Sequence, residues 1–297
     1  MSATREAPSS YRHSAIRPGS VALVREALRE VGSRRRLIQY LVQADLKKKG
    51  SDTLLGNLWW VIDPLLQMLV YVVLVSVIFV RSTPDYPLFI FAAILPWKWF
   101  TSTVQDGITA VVSQEKLIKQ IQFPKIVLPF AATVSGIVNF AFGMIPLGLL
   151  LVLFYRDRIS PNLLFIIPIA GVQFTFSLAL ALFVSAVNVF FRDLGNVARH
   201  ILRLWFYLSP GLYAISTLND SAILRSHPTL QTVAGANPFA IPFTAYRSVI
   251  YCSSAPQLPP SAPAWEGLLG LLVASVILLT LTTIVFKRLE PSFAKVL

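Results

Sequence analysis

Long apolar stretches broken by short polar ones set the pattern of this chain. Residues 54–80, 88–112, 126–155, 163–191 and 268–286 are each long and apolar enough to cross a bilayer, for which a helix needs about 20 residues. The last three contain no Asp, Glu, Lys or Arg. A sixth stretch, 201–215, is shorter and is broken by Pro210 and Gly211. Backbone polar groups must be satisfied internally within hydrocarbon, so the pattern predicts an all-α integral membrane protein of six transmembrane helices. Ahead of the first span, Val21, Val24, Leu28 and Val31 recur at helical spacing, with Arg25, Glu26, Arg29 and Glu30 on the other side. This predicts an amphipathic helix, ended near Gly32 and lying along the membrane surface. Residues 1–20 show no such period and read as a disordered tail.

Residues 216–263 alternate short apolar pieces with polar and Pro-rich ones. They are either an external loop or a pair of re-entrant or interfacial helices. Irregular backbone at membrane depth needs protein or water to cover it, so the second reading makes this segment line or close a passage.

Charge fixes an orientation. Twenty of the 26 Lys and Arg fall before residue 54, within 113–126, within 191–203 or after 286. Basic loops alternating with poor ones place both termini on the cytoplasmic side. An even number of crossings follows, which is why 201–215 counts as a span. Trp59 and Trp60 at the inner end of the first span and Trp265 at the outer start of the last fit interfacial belts. The chain is 55% hydrophobic and only 13% charged, against roughly 25% charged in soluble domains. Its net charge of +12 sits at membrane borders, which suits anionic lipid head groups and gives no reason to expect nucleic acid. Cys252 is the single cysteine, and His13, His200 and His227 are isolated, so no disulfide or metal site is expected. The first twenty residues have no apolar core of a cleavable signal. No Gly-rich phosphate loop ending in Gly-Lys-Ser/Thr and no nucleophile elbow occurs. The chain is therefore not expected to be an enzyme, and active transport would need a separate motor.

Four local patterns stand in order along the chain. The first is Asp45-Leu46-Lys47-Lys48-Lys49, then Leu55-Gly56-Asn57-Leu58-Trp59 and Pro64. The second is Leu117-Ile118-Lys119, then Phe123-Pro124-Lys125 and Leu128-Pro129. The third is Phe191-Arg192-Asp193-Leu194, then Trp205-Phe206-Tyr207-Leu208-Ser209-Pro210 and Tyr213; the fourth is Asn237-Pro238 with Arg247. From about residue 21 onward the chain resembles the six-span permease subunits of ABC-2 type exporters of polysaccharides, O-antigens and teichoic acids.

The resemblance implies a homodimer bound to two ATP-binding subunits in the bacterial cytoplasmic membrane, with ATP and Mg held by those partners and no cofactor in this chain. It implies a cytoplasmic coupling helix, which falls on 113–123. There Glu115, Lys116 and Lys119 offer polar contacts, Leu117, Ile118 and Ile121 could seat in a groove, and Phe123 precedes the Pro124 that ends the helix. A plain basic loop is the alternative. The helix before residue 32 is a second contact or a surface brace. The resulting division is a tail (1–20), an interface region (21–53), the ABC-2 transmembrane domain (54–290) and a cytoplasmic tail (291–297).

The implied cargo is a lipid-linked polysaccharide, exported by ATP hydrolysis on the partner. Sugar hydroxyls need hydrogen-bond partners while their C–H faces suit aromatic rings. The best candidates for lining a path are on the second span: Trp97, Lys98, Trp99 and Phe100, then Gln105 and Asp106. Lys98 and Asp106 are two turns apart on nearly one face, about 12 Å, and intramembrane charges face protein or water. Asp63 is a third such charge; its bland reading, before Pro64, is a local kink. Arg34, Arg35, Arg36, Lys47, Lys48 and Lys49 lie where a diphosphate head group would be received, or where anionic lipid alone would put them. Asn237, Pro238 and Arg247 mark an outer gate.

Two other classes compete. A polyprenyl-linked membrane glycosyltransferase would need paired acids at a membrane border, and the outer acids Asp85, Asp157, Asp220 and Glu266 are scattered. A secondary transporter would favour repeated halves and midplane coupling charges. A small-molecule or drug exporter of the same ABC-2 group is the nearest alternative.

Overall fold

The computed structural model describes residues 19–50, 55–78, 84–213, 237–251 and 259–297. The tail through residue 18, most of the outer segment (214–236 and 252–258), His13, His227 and Cys252 lie outside them. The described residues are helical, with no strand among them. In chain order they form α1 (Ser20–Ser33), α2 (Arg35–Gly50), α3 (Trp59–Val72), α4 (Tyr86–Ala110), α5 (Glu115–Gln120), α6 (Val127–Phe154), α7 (Ile166–Phe190), α8 (Leu194–Leu208), α9 (Ala240–Ile250) and α10 (Trp265–Val296).

Five segments among the described residues are long and apolar enough to cross a membrane. They are α3 with its continuation to Ser76, α4, α6, α7 with the 3-10 turn before it from Pro161, and α10. α3 passes into a π-helix at Val73–Ile78. α10 runs to Val296 with Pro291 inside it, so residues 291–296 continue one 32-residue helix.

α4 is the centre. From Tyr86 to Trp97 every residue except Pro87 is buried, and α6, α7, α3, α8 and α9 all pack on it. Its approach to α7 is set by small residues: a Cβ on Gly107 would lie 2.9 Å from the Cβ of Ala181. Within lipid, close backbone approach supplies dispersion contacts where the hydrophobic effect gives none. Polar cross-ties fix the register. Asn188 donates to the carbonyl of Ile108 at 2.8 Å, and Gln173 to that of Pro96 at 2.7 Å.

The segment expected as a span at 201–215 differs in its bounds. α8 starts at Leu194, seven residues earlier, and stops at Leu208 because Ser209-Pro210 cannot continue it. Its start lies against the end of α4, with Gly195 beside Ile108. The chain after it reaches the other end of α4, where the Tyr86 hydroxyl donates to the carbonyl of Leu212. α9 begins with the ring of Phe239 4.4 Å from that of Phe100, midway along α4. It ends where the Tyr251 hydroxyl donates to the carbonyl of Pro84. α9 is therefore half as deep as α4 is long, and almost all of it is buried.

α1 seats on the basic end of α10, and α2 on the start of α6. α1 turns differently from the expected face. Leu23 and Ala27 are buried, whereas Val21 and Leu28 are exposed. α2 buries Ile38 and Val42, which pack with Val127 and Ala131.

Candidate functional site

The half of α4 nearest the basic end has an unusual surface. Between 98 and 109 its residues that are not buried are Lys98, Thr101, Ser102, Gln105, Asp106 and Thr109. All six are polar. By contrast α6 and α10 expose Ile145, Leu149, Leu153, Val273, Ile277 and Leu281, as lipid-facing helices do. Charged and amide side chains facing hydrocarbon are costly, so this face of α4 is matched to water, to a polar ligand or to protein.

Of the candidates on this helix, Lys98, Gln105 and Asp106 belong to the polar face, while Trp97 and Phe100 do not. Their rings are packed with Trp205, Phe206, Phe239 and Phe243 from α8 and α9, which leaves Trp97 5% and Phe100 0% exposed. At 100° per residue, Trp97 and Trp99 point to different neighbours. Trp99 stacks on Phe140 of α6 and edges a cleft of 380 Å³ with Trp59, Trp60, Lys98, Ser102 and Asn139. Lys98 pairs there with Asp63 of α3. Asp63, for which a local kink was the bland reading, forms an ion pair with Lys98, a residue 12 positions from each end of α4.

Below this cleft lies a second, of 420 Å³, walled by α2, α4 and α6. Lys49 reaches into it from α2 and meets Asp106 at 2.7 Å and Asp45 at 2.9 Å. Burial pulls the Lys49 ammonium down, but the charges and hydrogen bonds of Asp106 and Asp45 outweigh it and the net shift is upward. Lys49 is thus committed to holding α2 on α4. Lys47 and Lys48 are exposed, and Lys48 borders the same cleft. Arg34, Arg35 and Arg36 are exposed at the α1–α2 junction around a separate hollow of 530 Å³. The structure does not bring the two basic groups into one site.

At the far end, Asn237 joins α8 to α9. Its Oδ1 accepts from Trp205 Nε1 and from the amide of Phe239, and its Nδ2 donates to Ser209 Oγ. Arg247 donates to the carbonyls of Phe89, Pro210, Gly211 and Tyr213, with its guanidinium 3.6 Å over the Phe89 ring. Asn237 and Arg247 therefore hold one joint, at the point where α8 unwinds, with Pro238 next to Asn237 in sequence.

At the basic end, α1, α5 and the last turns of α10 enclose a cleft of 1320 Å³. The Lys287 ammonium meets Glu26 and Glu30 at 2.9 Å and Glu290 at 2.8 Å. Glu290 also accepts from the amide of Lys125. Burial raises the Glu30 carboxyl above its usual range, with Lys287 opposing. On α5, Lys119 bonds to Glu115 at 2.6 Å and holds that exposed carboxyl low, and it donates to the carbonyl of Leu297. The expected coupling segment splits. Ile118 is buried within the chain beside Ala27 and Phe286, so it is not free to seat in a partner. Leu117 and Phe123 are half-buried; Lys116, Lys119 and Ile121 are exposed.

A sequence profile described as ABC-2 type transporter matches residues 36–251, from the start of α2 to the end of α9. This chain belongs to the ABC-2 type transporter family. The O-antigen export system permease protein RfbA of Myxococcus xanthus is 33% identical over 268 residues, 90% of this chain and 98% of that protein. Two RfbA permeases of Klebsiella pneumoniae are 25% and 24% identical, each across 88% of this chain and 95% of their own length. As an ABC-2 protein with several long apolar helices, it is an integral membrane protein. The profile match stops short of α1 and α10, so the Lys287 cluster lies outside it.

Three elements of the site were not expected. α2 carried a signal in Ile38 and Val42 and in the i,i+4 pair Asp45 and Lys49. The pairing of Asp63 with Lys98 and of Lys287 with Glu26 and Glu30 carried none, because these pairings join residues far apart in sequence.

Proposed function

We propose that this chain is the permease subunit of an ABC exporter that moves a lipid-linked O-antigen-type polysaccharide across the bacterial cytoplasmic membrane. Two copies would assemble with two ATP-binding subunits, which hold ATP and Mg. The observation that carries the reading is the full-length likeness to the Myxococcus xanthus RfbA permease, 98% of which is covered. The polar half of α4 supports it physically, because a polyhydroxylated cargo needs hydrogen-bonding walls.

Six crossings suit the path of α8. Its start meets Ile108 and the residues after it reach Tyr86, so α8 and its unwound end run the length of α4. Five candidate spans plus this one keep both basic termini on the cytoplasmic side. α9, starting at mid-depth and ending near Pro84, is then a re-entrant helix. Together with Asn237, Pro238 and Arg247 it forms the outer gate. In this orientation α5 faces the cytoplasm, and Lys116, Lys119 and Ile121 are the surface offered to the ATP-binding subunit. The transmembrane domain is 54–290, with 21–53 its interface region.

Depletion of the chain, followed by analysis of intracellular lipid-linked glycans, tests the proposal. Accumulation inside with loss of surface polysaccharide is expected. Normal surface polysaccharide, with altered efflux of a small molecule instead, would overturn it.

A further inference from the structure

The two clefts lie one after the other along α4. Ser102 and Asn139 border the upper cleft; Asp106 and Ser135, one turn nearer the basic end on α4 and α6, border the lower. Each is balanced in charge: Lys98 stands against Asp63 in the upper, Lys48 and Lys49 against Asp45 and Asp106 in the lower. A site for an anionic phosphate would show a cationic excess, and neither has one. A hydrocarbon chain is a poor occupant too, because it would leave an ion pair and several amide and hydroxyl groups without solvent.

The upper cleft adds a feature that ion pairs do not need. Three indole rings, Trp59, Trp60 and Trp99, line it together with Phe140. Trp60 is braced edge-on by Phe142 at 5.1 Å. The polar groups between the rings include Asn139, whose buried Oδ1 has no hydrogen-bond partner among the described residues. Flat apolar faces alternating with neutral donors and acceptors match a pyranose ring, which has an apolar C–H face and a rim of hydroxyls. The volume, 380 Å³, falls at the small end of ligand clefts, roughly 300–1,000 Å³.

We infer that the cleft between α3, α4 and α6 is a subsite for one neutral sugar unit of the exported glycan, with Trp60 and Trp99 as its platforms and Asn139 and Ser102 as hydroxyl partners. This rests on the glycan-export reading and adds to it a place on the protomer and a ligand class, sugar ring rather than phosphate.

The test is photocrosslinking in cells making the native complex. p-Benzoylphenylalanine is installed at position 60, and at Ile145 as a lipid-facing control, exposed on α6. Irradiation during export is expected to shift position-60 protein upward on gels, in bands that bind antiserum against the surface glycan, and to leave the control unshifted. Equal labelling at both positions, no glycan adduct at 60, or an adduct to a second copy of the chain would each overturn the inference. Should the probe at 60 prevent insertion, Ser102→Cys in a Cys252→Ser background reads the same point. Loss of maleimide labelling while glycan is being exported supports the subsite, and unchanged labelling sinks it. The broader reading is judged separately. If deletion of the chain leaves surface glycan intact, export itself is misassigned; if deletion abolishes it and position 60 never captures glycan, only the subsite fails.

Discussion

Arg247 donates to the carbonyl oxygen of Pro210 at 2.6 Å, across 37 residues of sequence. The same guanidinium reaches the carbonyls of Gly211 and Tyr213, so one buried side chain satisfies the backbone where α8 ends. Pro210 stops the helix, so these carbonyls lie beyond the regular hydrogen-bond ladder of α8. A lysine is a point charge and cannot spread donors over a fork. Arg247→Lys is expected to cost about 3 kcal/mol, the desolvation of one or two orphaned carbonyls. The check is the thermal midpoint of the purified protein in detergent. An unchanged midpoint would mean that other donors serve these carbonyls.

The Lys287 cluster makes the seating of α1 sensitive to pH. Glu30 faces Lys287, Glu290 and Glu26. Burial raises its folded pKa above 4.5, and Glu290 and Glu26 add to that while Lys287 opposes. A carboxyl raised in the folded state favours its neutral form there. Its contribution is thus complete below the unfolded value and is lost as pH rises through the folded one. Hydrogen exchange of the α1 amides, corrected for intrinsic rate, should show more opening at about pH 8 than at about pH 5. Glu30→Gln should flatten that difference. A wild-type profile without slope would rule the mechanism out.

Legibility followed the range of the interaction. Apolar stretches near 88–112, 126–155 and 163–191 mark helices α4, α6 and α7 because a bilayer imposes length and composition locally. Lys98 and Asp106 were visible as intramembrane charges, and both lie on the polar face. Trp97 and Phe100 were not separable from Trp99 by sequence. Which ring turns to the interior depends on where α8 and α9 pack, and α9 arrives from more than 130 residues downstream. What holds the broken end of the sixth stretch was hidden for a similar reason. Unwound backbone after Leu208 is tolerated through Arg247, and nothing near residue 210 announces that partner.

Ile118 on α5 and Ile121 just after it separate folding from docking. Ile118 is 6% exposed and Ile121 55%. Ile118→Asp buries an unpaired carboxylate and should destabilise the permease by several kcal/mol, about 3 or more, seen as reduced membrane yield. Ile121→Asp should leave yield unchanged and weaken co-purification of the ATP-binding subunit by about tenfold, the loss of one good interface contact. The two variants behaving alike would mean that α5 is not presented to the partner as the exposure pattern requires.

Lys49 and Asp106 allow a test that does not depend on transport. Their ion pair joins α2 to the middle membrane helix at 2.7 Å, both side chains less than a third exposed. Removing the cation alone in Lys49→Met leaves Asp106 and Asp45 facing each other, at an expected cost of about 3–5 kcal/mol. Removing both charges in Lys49→Met with Asp106→Leu exchanges the pair for apolar contact, which is often neutral for buried pairs. The double variant is therefore expected to be more stable than Lys49→Met, with a coupling of about 0.5–3 kcal/mol in the thermodynamic cycle. Additive losses would mean that the two residues act independently, and that α2 is held to α6 by Ile38 and Val42 alone.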